Sequence, residues 1–307
     1  MSVVTATGLS RPEWLALRPL TGNTVSGFAL VLPAVVFLGV FFVWPVLQMI
    51  VLSVSQQRVE GAVVVGFTID NYLRLFSNDL YFRVLLRTLR LAAAASVIGA
   101  VLAYPLAIAI ARGGPGLARL VTITLIAPLL VNVVVRSFGW SAILNNSGAL
   151  AYLLRVAGLS STPPAVLYTE WAVLIACVHI YLPFVVMPIA TAISRIDLAV
   201  EEAARVAGAS RFATFRRITF PLSLPGLAVG ASLMFSLTAA AYVMPQILGG
   251  NFSPLLGTLI EQQVLTLSDW PFGAAIATLL IVVVLMVNLI FIGLLSRRFS
   301  RWAGGSR

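Results

Sequence analysis

The sequence predicts an all-α membrane protein: a six-transmembrane-helix bundle with both termini cytoplasmic and a helical cytoplasmic loop between helices four and five. Three observations carry this reading. The 307 residues are 60% hydrophobic and only 10% charged, whereas a soluble domain is about 45–50% apolar and about 25% charged. Six apolar stretches approach or exceed the roughly 20 residues that a hydrocarbon layer about 30 Å thick asks of a helix. All twenty basic residues are Arg, and they are divided unevenly between the connecting segments.

The first stretch, Gly27 to Val54, is long and carries Pro33 and Pro45, which predicts a tilt or an early end. The second is Leu91 to Ala111, closed by Arg112. The third, Leu117 to Val135, is the weakest, with Arg119 near one end and Pro128 and Asn132 inside. Trp171 to Ile193 is the fourth, Gly226 to Leu248 the fifth and Phe272 to Leu295 the sixth. Unbroken apolar runs favour helices over barrel strands, because lipid leaves every backbone group to be satisfied within its own segment. The chain therefore reads as one transmembrane domain over 27–295, with a cytoplasmic amino-terminal segment 1–26 and a cytoplasmic tail 296–307. The amino-terminal stretch does not read as a secretory signal, since its apolar run starts late and is too long.

Orientation follows from counting Arg by loop. One side collects the amino terminus, Arg112 and Arg119, the loop after span four and the tail, thirteen Arg in all. The other side holds seven: Arg58, Arg74, Arg83, Arg87, Arg90, Arg136 and Arg155. The richer side is the cytoplasmic one. Trp140, Trp171 and Trp270 then fall near the outer interface, and Trp14 and Trp302 near the inner one. Two outer connections are more than turns. Gln56 to Leu86 mixes charge and aromatics and predicts a short surface helix; Ala149 to Val156 is too short to span and reads as an interfacial or re-entrant helix.

Composition excludes several function classes. With no Lys there is no P-loop lysine and no Schiff-base lysine. One Cys (Cys177) and one His (His179) leave no disulfide framework and no His/Cys metal cluster. They lie two residues apart on one helix, on different faces, so they do not make a nucleophile–base pair. No Asp or Glu lies mid-span, which argues against an ion-driven secondary transporter. The net charge of +10 does not point to nucleic acid, because the arginines sit between apolar runs.

The informative segment is the loop 194–225, which contains EEAARVAGASRFATFRRITFPLSLPG from Glu201 to Gly226. Two acids before a small-residue run suit a short helix. Gly208 supplies a residue that tolerates positive φ, which stops that helix. A second amphipathic stretch, Phe212 to Phe220, is expected to end at Pro221. Helix, glycine turn, helix: a rigid knob.

At these residues the chain resembles the permease subunits of bacterial binding-protein-dependent ABC importers, whose signature is E-A-A, three residues, G, nine residues, I-x-L-P. Glu202, Ala203, Ala204, Gly208, Ile218 and Pro221 fall at those spacings, with Phe220 where the family has Leu. VRSFGW (Val135 to Trp140), YLPF (Tyr181 to Phe184), LGG (Leu248 to Gly250) and WPFG (Trp270 to Gly273) look like the spermidine/putrescine branch. The resemblance implies a multi-pass protein of the bacterial inner membrane that catalyses no covalent chemistry and binds no cofactor. It implies two ATPase subunits that use ATP and Mg, a second homologous permease and a periplasmic solute-binding protein. The six signature residues would couple to the ATPase. Solute would cross by alternating access, with polyamine the first expectation and a different small solute the alternative, since the branch includes relatives that import other small solutes. Residues placed to line a path are His179, a polar group within a span, Tyr104, Tyr181 and Tyr242, whose rings could stack on a cation, and the outer acid Glu170.

Overall fold

The computed structural model describes residues 24–57, 63–64, 66–158, 165–250 and 253–303. The amino-terminal Arg11, Trp14 and Arg18, the loop residue Arg58, Asn251 and Arg307 lie outside the described residues. The fold is all-helical, apart from one two-pair antiparallel ladder in which Gln56 faces Val64 and Gln57 faces Val63. Among the described residues, five helices are long and apolar enough to cross a membrane, or six if one bent pair counts as a single span.

The chain divides at Gln48 into two units. In the first, α1 (Thr24–Leu38) passes through a π turn (Gly39–Val43) into α2 (Trp44–Ser53), which carries on into the second unit. The π turn ends two residues before Pro45, and Trp44 N–H bonds to Gly39 O. A wider turn accommodates the ring and the missing amide of a proline that would kink a regular helix. The helix thus continues through Pro45, where the sequence predicts a tilt or an early end.

The second unit begins at Met49 and is built on three helices. Helix α4 (Asp79–Arg112) starts at Asn78, whose side chain accepts from Leu80 N–H. At 1.5 Å per residue its 34 residues span about 51 Å, well beyond a bilayer core. The predicted second span, starting at Leu91, is therefore only its apolar part; Arg83, Arg87 and Arg90 ride on three extra turns before it. Helix α8 (Glu170–Ser194) matches the fourth predicted span within a residue at each end and is the most buried span. Helix α11 (Phe220–Ala239) packs against both. Their approach is close because the contact residues are small. A Cβ on Gly226 would stand 2.5 Å from Pro188 O, and one on Gly230 would stand 2.9 Å from Val185 Cα. This Gly-x-x-x-Gly stripe is the usual device for bringing membrane helices together. Fully buried Cys177 packs in the same core as a small apolar group.

Two predicted spans are corrected. The third is not one helix: α5 (Pro115–Ile126) and a 3-10 turn (Ala127–Leu130) stop, and α6 (Val133–Leu144) leaves at a 104° bend. Pro128 starves the first segment of an amide, and the Asn132 side chain accepts from Val134 N–H to start the next helix. Arg136 Nη1 donates to Pro128 O at 2.6 Å, a carbonyl that also accepts from Val131 N–H at 3.3 Å, and so ties α6 back across the break. The fifth span runs earlier than Gly226 to Leu248. Helix α10 (Arg211–Thr214) and a π turn (Phe215–Thr219) lead without interruption into α11, which ends at Ala239. Pro221 does not end the amphipathic stretch: again the π turn closes two residues before the proline, with Phe220 N–H on Phe215 O.

The connecting helices match expectation more closely. The surface helix in the first connection, Gln56 to Leu86, is α3 (Asp70–Ser77), and the short apolar patch is α7, Ala149–Val156, with the same bounds. After α11 come a π turn (Pro245–Gly249), α12 (Leu256–Glu261) and another π turn (Gln262–Thr266). The last helix, α13 (Trp270–Ala303), contains the sixth span and runs on through the start of the segment 296–307.

Candidate functional site

Helix α9 (Leu198–Val206) opens the knob, and each of its ends is tied by local hydrogen bonds. Asp197 caps its start, accepting from Ala199 N–H at 3.0 Å. At its end Gly208 has φ +87°, Ala209 N–H bonds to Ala204 O and Gly208 N–H bonds to Arg205 O. These two bonds and the left-handed glycine form a Schellman cap. Ser210 then caps α10 through Ala213 N–H at 3.2 Å. Helix, left-handed glycine and helix are therefore all present.

The six signature residues divide by exposure. Glu202, Ala203 and Gly208 face solvent, and Ala204 is half-buried. Ile218 and Pro221 are half-buried in the foot of α11. Phe220, the departure from the family's Leu, packs with Phe215 and Tyr104 at ring distances of 5.5–6.0 Å. Tyr104 also shares a 3.0 Å hydrogen bond with Ser223 Oγ. It is thus buried in the foot of α11, on the knob side of the bundle.

The knob's one buried acid is the residue before the signature. Arg112 Nη2 donates to Glu201 Oε1 at 3.2 Å and to Ile196 O at 2.8 Å. Thr219 Oγ1 donates to the same Glu201 oxygen at 3.1 Å. The two charged side chains are 17% and 12% exposed. They line a cleft of about 470 Å³ between α4, α9, α10 and the π turn that leads into α11. Sequence reading gave this acid only a place in the first turn of a helix, because nothing local shows that a residue 89 positions earlier meets it.

At the other end of α4 and α8 the charges are paired as well. Glu170 binds Arg87 Nε at 3.0 Å and Arg90 Nη2. Asp269 takes Arg74 Nη1 at 2.7 Å, and the Arg74 guanidinium lies 4.0 Å over the Phe272 ring. The path residues are scattered. His179 lies on an exposed face of α8, where Trp140 Nε1 donates to its Nδ1 at 3.4 Å. Tyr181 packs on the main core, and Arg136 stands close to both Tyr181 and His179. Tyr242 is exposed just past the end of α11. His179, Tyr181, Arg136 and Trp140 form one neighbourhood; Tyr104 and Glu170 belong to other parts of the bundle. Trp140 and Arg136 enter it from α6, through the bend that the sequence presents as a continuous span.

Residues 103–301 match the family described as the binding-protein-dependent transport system inner membrane component. The chain is 36% identical over 255 residues to the spermidine/putrescine transport system permease protein PotB of Escherichia coli (strain K12), covering 83% of this chain and 92% of that one. It is 33% identical over 261 residues to PotB of Haemophilus influenzae, covering 84% and 90%. Among solved structures, a bacterial ABC transporter involved in the import of the acidic polysaccharide alginate matches with a TM-score of 0.71 at 20% identity, over 89% of this chain and 96% of that one. The same kind of transporter in complex with an alginate pentasaccharide-bound periplasmic protein matches at 0.68. The fold is that of an ABC permease. The chain belongs to the binding-protein-dependent transport system inner membrane components, as a multi-pass permease subunit of an ABC importer in the branch of the spermidine/putrescine permeases.

Proposed function

We propose that this chain imports a polyamine such as spermidine or putrescine, as one of two similar permeases driven by a pair of ATPase subunits. The observation that carries the coupling half of this reading is the knob: an exposed Glu202–Ala203–Val206 face on a helix held at both ends and closed by a left-handed glycine. Such a preformed face suits docking in a cleft of a separate subunit, since little ordering is left to do on binding. In this reading the ATPases use ATP and Mg, and their closure pushes α9 and switches access from outside to inside. Access alternates because nucleotide binds one conformation of the assembly better than the other. The knob and both termini lie in the cytoplasm, on the arginine-rich side.

The polyamine assignment draws on the names of the relatives and on the branch motifs. Selectivity rests with the periplasmic binding protein. Of the outer acids Glu170, Glu261 and Asp269, the first and last are each taken by arginine, so those two offer little free charge to a polycation. His179, Tyr181, Tyr242 and the Trp140 ring provide a polar and aromatic surface for passage. The test is uptake of radiolabelled spermidine into cells that produce the complete importer, with unlabelled putrescine as competitor. Saturable uptake that needs the binding protein and is competed by putrescine supports the assignment. Absence of polyamine uptake, with an intact assembly that imports another solute, refutes it.

A further inference from the structure

We infer that Glu201, one place before the signature glutamate, is the residue through which movement of α9 reaches the spanning helices: a positioning residue for coupling, distinct from the docking face. This rests on the reading that α9 docks on the ATPase.

The geometry separates the two roles. Around the helix, Glu202, Ala203 and Val206 lie on the exposed side, whereas Glu201 turns inward. Its Oε1 receives Arg112 from the last turn of α4 and Thr219 from the foot of α11. Arg112 is in turn held by Ile196 O, in the short link between α8 and α9. One carboxylate oxygen therefore joins α9 to α4 and to the π turn that leads into α11, and Arg112 extends the link to the segment between α8 and α9. Apolar side chains of α9 contribute little alongside it: Leu198, Val200 and Val206 are exposed, and Ala204 is half-buried.

A push on an exposed helix moves the bundle only through contacts that survive the push. Caps at Asp197 and Gly208 keep α9 helical but do not attach it to α4. The Arg112–Glu201–Thr219 contact does, and its ions are mostly withdrawn from water, where a charge pair is held more strongly than at the surface. Removing one partner strands the other in a place built for a pair. Arg112 is already demanding, since its Nε is buried without a partner. The pair makes α9 and α4 one moving body.

The test uses the assembled importer with spin labels at Val200→Cys on α9 and Val101→Cys on α4, both exposed; because Val200 precedes Glu201 in the chain, the labelled parent is first checked for full ATP-dependent transport. The native Cys177 is fully buried and does not compete for label. The distance is measured nucleotide-free and after trapping with ATP and vanadate, for the Glu201 parent and for Glu201→Gln. ATPase retention is measured on the same samples. In the parent, one narrow distance that stays put on trapping is expected. In Glu201→Gln, retention stays within about twofold while the distance shifts or broadens on trapping, and ATP-dependent transport per ATP falls about tenfold, a common size for a coupling effect. Thr219→Val, which removes one donor and keeps the charges, gives a smaller shift. An unshifted distance in Glu201→Gln, or a parent distance that moves as much as the variant's, overturns the inference. Failure of the docking reading looks different: Glu202→Gln and Gly208→Val then retain the ATPase as fully as the parent does.

Discussion

Replacing Gly208 by Val perturbs one torsion and very little else. At φ +87° the backbone lies in the left-handed region, and a Cβ built there meets nothing within 4 Å. Steric collision with neighbours is therefore removed from the argument, and what remains is conformational. A left-handed non-glycine residue costs about 1–2 kcal/mol, and β-branching puts Val at the upper end. The loop has a way to relieve this. It can give up Ala209 N–H to Ala204 O and Gly208 N–H to Arg205 O, each worth about 0.5–1.5 kcal/mol net. Either route destabilises the last turn of α9 by about 1–2 kcal/mol, while the Arg112–Glu201 contact keeps the first turn in place. If docking needs the whole helix, affinity for the ATPase falls roughly 5- to 30-fold. The spans carry their own hydrogen bonds, so insertion and yield stay normal. The assay is co-purification of the ATPase with the parent, Gly208→Val and Gly208→Asn subunits. Asn tolerates the left-handed region and should retain most of the ATPase. Full retention by Gly208→Val would refute the idea that the cap shapes a docking surface.

Three further outcomes are expected. Gly226→Leu should abolish membrane yield, because its Cβ alone would meet the Pro188 backbone at 2.5 Å and overpacking costs about 1–3 kcal/mol or more; normal yield would contradict the close packing of α8 and α11. Cysteines introduced at Asp70 and Asn146 should react with an impermeant thiol reagent in intact cells, and one at Gly208 only after permeabilisation; labelling of position 208 from outside would reverse the proposed orientation. His179→Ala and Tyr181→Phe should change the rate of uptake and leave the choice of solute unaltered, measured by competition between spermidine and putrescine; a switch in preference with the binding protein unchanged would place selectivity in this subunit.

Much of the fold was legible because hydropathy and local capping decide it. The fourth span differs from Glu170–Ser194 by one residue at each end, and α7 has the bounds that its short apolar patch suggests. The misplaced elements share one cause, the treatment of proline. At Pro221 the chain widens to a π turn and continues, whereas at Pro128 it stops, bends and restarts on Asn132. Both places lack an amide; what differs is the local hydrogen bonding around it, Phe220 N–H on Phe215 O at one and Asn132 and Arg136 at the other. The knob was legible for the same reason that the spans were, since a glycine cap is a local device. The Arg112–Glu201 pair was not, because 89 residues separate its partners. The Glu170 pairs were hidden likewise: Arg87 and Arg90 read as crowded outer charges until α4 and α8 start side by side. The Trp140–His179 contact depends on the bend before α6, so it too is a consequence of tertiary structure.

The central claim is that transport through this chain is driven by ATP hydrolysed in another subunit. It is tested most directly in proteoliposomes, comparing the complete importer with this subunit alone. With the ATPase, the second permease and the spermidine-loaded binding protein present, uptake should require ATP on the ATPase side and stop with vanadate. The subunit alone should show no uptake under any proton or sodium gradient. Gradient-driven uptake by the subunit alone, without an ATPase, would contradict the account.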